Sequence, residues 1–416
     1  MPTACGEETL MTKTKLSAIG LLVLVNLIAA SFLYSPGTED VDTLYRWTEE
    51  IAAYGVRGGF VHSRADYPPL AFVFLAIVLQ LAQALGISWF IVLKSSVLLF
   101  LAATSACFYW FTRNLILTAG FELALVVNSV ALGYVDVYFG LFVIAALFLL
   151  QRGNLSLGLV LFMAGCFIKW QPLIIAPFIG IYVLAVARDG PGGDGRLRRV
   201  IAPFALSAVA VVIPIFALFG ASVFDALGRI MSYRYISANA LNLGWIHTWA
   251  LHVMQPDKYG GLRSGHIDLI VAPEVLTTLP EKMLFYAIYT LILVVFAWQK
   301  KTFERLIAYS MLGYMSYFIL NTGVHENHFF LVSCLAWVLV SLDPDYLVRC
   351  INLSIVANAN LLLFYGVFGQ PLPFTRVIAG VDITLCFALA NLCLFFALLV
   401  HRFKAEGIGV RFWAKQ

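Results

Sequence analysis

Residues 16–34 read LSAIGLLVLVNLIAASFLY, nineteen positions without a charged side chain. A run of about 18 or more apolar residues is long enough to cross the hydrocarbon core of a bilayer as a helix. Lys13 and Lys15 stand before it and no small-residue cleavage site follows, so it reads as an uncleaved first span rather than a signal peptide. Runs of the same kind recur to the far end of the chain, where 379–400 reads AGVDITLCFALANLCLFFALLV with Asp382 as its one charge. These runs are apolar all round, whereas barrel strands would alternate polar and apolar residues. Over 416 residues, 61% are hydrophobic and 12% charged, against about 25% charged in a soluble domain. The chain therefore reads as an all-α polytopic transmembrane bundle of about 11–13 spans.

The Lys/Arg bias of the connecting loops sets an expected orientation. Arg188–Arg199, Gln299–Arg305 and the tail with Arg402, Lys404, Arg411 and Lys415 are basic, and should face the cytoplasm with the N-terminus. Spans near 200–220, 284–298, 306–320, 329–341, 350–369 and 379–400 then alternate correctly. The segment 155–187 is too long for one straight helix and carries Lys169-Trp170-Gln171-Pro172, which predicts a broken or bent helix there. The resulting organisation is a cytoplasmic tail at 1–15, a membrane domain at 16–401 with outer loops at 35–67, 221–282 and 321–328, and a cytoplasmic tail at 402–416. A net charge of +4 gives no sign of a nucleic-acid partner. The seven cysteines form no CxxC pair and read as small core residues.

The polar residues of interest gather at the outer face. The first outer loop holds Glu39, Asp40, Asp42, Glu49, Glu50 and Asp66. Leu44, Trp47, Ile51 and Tyr54 form one apolar stripe of a helix lying on the membrane surface. Asp42 stands where it can cap that helix, and Asp40 lies beyond capping reach. A carboxylate at the water–lipid boundary loses hydration on one side, which raises its pKa toward that of a useful base. Asp66-Tyr67-Pro68-Pro69-Leu70 opens the second span, with Asp66 as either its cap or a site residue. Asp136 reads as a loop residue or a site residue.

Lys169 is costly inside an apolar stretch, and serves either a site or an interface to which it snorkels. Arg229 and Arg234, followed by Asn239, Asn242 and Trp245, suit either a bound phosphate or lipid head groups. Val324-His325-Glu326-Asn327-His328 reads as a metal site, a polar loop or part of a donor site, although the H-E-x-x-H pattern is absent.

Taken in order, these stretches resemble the GT-C superfamily of polyprenyl-phosphate-sugar-dependent glycosyltransferases, over roughly residues 16–340. The likeness is greatest to the endoplasmic-reticulum glucosyltransferases that extend lipid-linked oligosaccharide and to bacterial mannosyltransferase-like relatives. Asp40-x-Asp42 resembles the acidic motif of the family's first outer loop. Asp66-Tyr67-Pro68-Pro69-Leu70 is similar to its D-Y-P-P-L element, Lys169-Trp170-Gln171-Pro172 to its membrane lysine motif, and Val324-His325-Glu326 to its V-H-E element. Arg229–Trp245 is similar to its R…N-x-W stretch. The chain departs from the family at Asn327, where the eukaryotic enzymes have Lys, and at Gly133–Tyr138, which lacks the expected His and Gln.

The resemblance implies an inverting transfer of a hexose, mannose or glucose, from a polyprenyl-phosphate donor to a glycolipid or glycan acceptor. Asp40 would be the general base with Asp42 as its support or reserve. Lys169, Arg229, Arg234 and His325 would hold the phosphate, while Asp66, Tyr67, Gln171 and Glu326 would orient the sugar or brace the loop. It implies no cofactor and does not call for a divalent metal. The expected location is a bacterial inner membrane with the site on the periplasmic side. A flippase for lipid-linked sugar is the main rival, and would call for an inverted repeat and paired broken helices. A ligase or polymerase of lipid-linked glycans is the second.

Overall fold

The computed structural model describes residues 4–189, 196–232, 235–271, 280–370 and 376–408. The chain is an all-α bundle, as its sequence predicts. Its crossing helices are α1 (Ala4–Ser31), α4 (Trp89–Thr112), α5 (Leu115–Val126), α6 (Asp136–Gln151), α7 (Leu155–Ile168) and α8 (Ala176–Asp189), then α9 (Arg196–Ser207) continued by α10 (Ile213–Phe219). The chain then forms α11 (Ser222–Met231), α12 (Leu243–Met254) and α13 (Pro256–Tyr259) on one side of the bundle. It returns through α14 (Pro280–Trp298), α15 (Phe303–Leu320), α16 (Phe330–Leu342), α17 (Leu347–Tyr365) and α18 (Ile383–Ala405). Among the described residues six helices are long and apolar enough to span a membrane unaided, and several shorter apolar ones pack among them. Leu27, Leu99, Val209 and Leu218 point outward, exposed. An outward apolar surface of this extent fits lipid as solvent, and the protein is an integral membrane protein.

The basic segments meet at one end of the bundle. Arg305 pairs with Glu406 at 2.7 Å and Arg402 with Glu304 at 2.5 Å, which ties α15 to the end of α18. This is the basic end, and the opposite end carries α2 (Glu39–His62). Leu44, Trp47 and Ile51 of α2 are buried as the stripe predicts, but Tyr54 is exposed because the helix kinks at Gly55, whose φ is 70°.

Two readings from sequence need correction. The D-Y-P-P-L element opens α3 (Pro69–Leu85), which is not a crossing. Its first turn lies against Trp47 of α2 through Phe72, with ring centroids 5.4 Å apart. The next helix begins at Trp89, whose ring meets Tyr45 of α2 edge-on at 5.3 Å. Both ends of α3 therefore lie at the level of α2, and only then do the crossings alternate with the basic loops at one end. The second correction concerns 155–187. The chain does break at Lys169, whose backbone is extended (φ −149°, ψ 142°), but it turns back there into a second crossing rather than continuing as a bent helix.

A candidate active site under the first outer helix

A cavity of about 540 Å³ lies between α2, α14 and the two connections at Lys169–Ile174 and Asn321–His328. Asp40, Thr43, Leu44 and Trp47 of α2 line it, and so do Lys282, Phe285, Tyr286 and Tyr289 of α14. Each set has the spacing i, i+3, i+4, i+7, so each is a single face of its helix. A carboxylate and an ammonium thus stand at the head of two otherwise mostly aromatic and apolar walls. Asp66, Tyr67, Lys169, Gln171 and His325 also line it. Residues from four separate segments, singled out by sequence, converge here.

Asp40 is half-buried on the cavity wall. Burial raises its pKa to about 6; the charge of Lys169 pulls it down in part, and Asp136, Asp66 and Glu39 push it up. Asp42 is exposed and off the cavity, because two residues along a helix turn it about 200° away. It does not cap the helix either: that position is Thr38, which has no side-chain cap hydrogen bond. The pairing of Asp42 with Asp40 in one site is therefore not what the fold produces.

Lys169 is also not the free cation that its sequence context suggests. It is 4% exposed and forms an ion pair with Asp136, which is 1% exposed at the first turn of α6. Asp136 is thus no loop residue. The Tyr67 ring lies 5.1 Å from the Lys169 ammonium. Gln171 is buried at the start of the 3₁₀ turn Gln171–Ile175 and faces the cavity.

Asp66 is held through its backbone: its carbonyl accepts from Trp170 Nε1 at 2.8 Å, and the carbonyl of Ala65 accepts from Arg229 Nε at 2.9 Å. Burial raises the Asp66 pKa. Arg229 is therefore a brace for this loop, and its helix presents Leu227, Ile230 and Met231 to the cavity instead. Arg234 lies outside the described residues. Asn242 caps α12 by accepting from Trp245 N–H at 3.0 Å, and Trp245 donates to Thr384 at 2.9 Å, so this stretch is scaffold.

In the last loop, burial, then the charge of Lys169, lowers the His325 pKa to about 4. His328, bonded to the Tyr317 hydroxyl at 3.0 Å, is pushed down further by burial and by His325. Both are neutral near pH 7, so His325 can offer a hydrogen bond but no charge to a phosphate. Glu326 points away from the main cavity and accepts from Tyr134 Oη at 2.6 Å, with burial raising its pKa to about 7. It braces the loop and does not reach a sugar in the cavity. Ala238 N–H donates to the Val324 carbonyl at 3.0 Å, which fixes the loop from the other side.

Sequence reading missed Lys282. Its position directly before an apolar run resembles an ordinary interfacial lysine, and nothing local reveals that this face of α14 lines the same cavity as Asp40. Among the described residues no three His, Cys, Asp or Glu side chains come together as a metal site. Comparison with protein-family models finds no match, and no curated protein matches the chain significantly.

Proposed function

We propose that this protein is a membrane-embedded inverting glycosyltransferase that moves a hexose from a polyprenyl-phosphate donor to a hydroxyl acceptor. One observation carries the reading: Asp40, a carboxylate of raised proton affinity, lines a cavity with many aromatic and apolar side chains that Lys282 lines as well. The aromatic faces suit a sugar ring. Asp40 takes the proton of the acceptor hydroxyl, whose oxygen forms a bond to C1 while the C1–O bond to phosphate breaks and polyprenyl phosphate leaves with the electron pair.

Charge on that leaving group needs a cation held in place. Lys169 is neutralised by Asp136, Arg229 is off the wall and His325 is neutral, so among the described residues Lys282 is the cation on the lining that fits this role. Met231 and Tyr286 border the cavity while 72% and 61% exposed, an apolar flank suited to a prenyl tail arriving from the lipid. By the positive-inside rule the basic end is cytoplasmic, which puts the cavity on the outer side, periplasmic if the host membrane is a bacterial inner membrane.

The test is to give purified protein in liposomes synthetic polyprenyl-phosphate-glucose and polyprenyl-phosphate-mannose, and to follow the C1–O bond. Transfer of the hexose, or slow donor hydrolysis, supports the proposal. Movement of intact lipid-linked sugar between leaflets without cleavage contradicts it and makes the protein a flippase.

A further inference from the structure

Lys94 lies six residues into α4, one of the helices long enough to span the membrane, and is 0% exposed. No carboxylate among the described residues pairs with it. A charged group inside a span is expensive to insert and is retained where it serves something. Its ammonium donates to the backbone carbonyls of Val130 and, at 3.2 Å, of Ala131. These close the π-helical turn Val127–Ala131 that ends α5, where the final carbonyls of a helix have no partner of their own.

The carbonyls of residues 130–132 each have a partner, and those partners lead to the site. Val130 is taken by Lys94, Ala131 by Lys94 and by Ser35 Oγ at 2.9 Å, and Leu132 by Thr38 N–H at 2.9 Å. Ser35 and Thr38 belong to the strand of chain that enters α2, and Asp40 follows two residues on. Contact is close along the whole seam. A Cβ on Gly37 would lie 2.7 Å from the Leu132 carbonyl oxygen, and one on Gly133, whose φ is +79°, would lie 2.6 Å from Val41 Cγ2.

We infer that Lys94 is a positioning residue: its ammonium pins the π-helical turn on which the start of α2 docks, and thereby holds Asp40 against the cavity. Lys94 touches neither the cavity nor Asp40, and its effect passes through the backbone of residues 130–132. The catalytic half of this inference rests on the transferase reading; the docking half does not.

The test compares wild type with Lys94→Met, which keeps the stem and removes the charge, and with Lys94→Arg, which restores a cation. Amide exchange of the 35–44 segment is measured in nanodiscs beside sugar transfer. In Lys94→Met we expect exchange of that segment to rise about tenfold while α6 and α7 keep their protection. We also expect kcat to fall about ten- to a hundredfold with KM for the donor little changed, as for a displaced but intact group. Lys94→Arg should recover much of both. Unchanged exchange at 35–44 in Lys94→Met overturns the inference whether or not sugar transfer changes. A general loss of protection across the bundle in both variants also overturns it, since Lys94 would then be a folding residue. If wild type transfers no sugar, the transferase reading falls, and the exchange result still decides the docking role.

Discussion

Asp136→Asn removes the carboxylate that neutralises Lys169 and keeps nearly the same shape. Lys169 is 4% exposed and Asp136 is 1% exposed, so water cannot take over the lost interaction. Removing one partner of a buried pair costs about 3–5 kcal/mol, because the remaining charge stays buried without compensation. Asn can still accept a hydrogen bond from the ammonium, which puts this variant at the lower end, about 3 kcal/mol. Lys169→Met strands Asp136, whose second carboxylate oxygen already has no partner among the described residues, and should cost at least as much.

The double variant Lys169→Met/Asp136→Leu removes both charges, and an apolar pair of similar volume is about neutral in such settings. Thermal unfolding in detergent should thus show single variants several degrees below wild type and the double variant near it. Closed with the single variant Asp136→Leu, which strands Lys169 in the same way, the cycle should give a coupling near the sum of the two single costs, about 6 kcal/mol. Singles as stable as wild type, or a double variant equal to their sum, would refute the pairing and return Lys169 to the pool of cations free to hold an anion.

Three other outcomes follow from the same geometry. Transfer should decline as pH falls through about 6, where Asp40 gains its proton and ceases to act as a base; a flat kcat/KM between pH 5 and 8 would contradict this. The raised pKa has a second consequence. The fold favours protonated Asp40, so the stability it contributes is present at low pH and lost as pH rises through about 6. Asp40→Asn should accordingly melt no lower than wild type at pH 7.5 while losing activity. Lys282→Gln should lower kcat/KM for the donor roughly tenfold to a hundredfold, as expected for a charge-assisted hydrogen bond of about 1.5–3 kcal/mol, and an unchanged kcat/KM would remove Lys282 from the site.

Much of the site was legible because its residues are out of character locally. A carboxylate at the end of a span, a lysine in an apolar run and a double proline beside Asp-Tyr each defy their surroundings, and Asp40, Asp66, Tyr67, Lys169, Gln171 and His325 do share one cavity. The helical bundle was legible from hydropathy alone. What failed was pairing and direction, which local sequence does not encode. Asp136 and Lys169 are 33 residues apart, and their meeting depends on the reversal between α6 and α7. Asp42 is separated from Asp40 by helix phase, because the helix starts at Glu39 and holds both. His325 loses its charge to burial and then to the charge of Lys169, which is distant in sequence. The apolar run of α3 is as greasy as a span, yet its first turn meets α2 through Phe72, and the helix that follows it meets α2 again through Trp89. Lys282 and Lys94 gave no local signal for where they point.

The most direct measurement is single-turnover sugar transfer from a polyprenyl-phosphate donor by wild type, Asp40→Asn and Asp42→Asn, each shown to be folded, in the same liposomes. We expect Asp40→Asn to lose nearly all transfer and Asp42→Asn to keep it within about twofold, since only Asp40 reaches the cavity. Full activity in Asp40→Asn, or loss confined to Asp42→Asn, would contradict the assignment of the base.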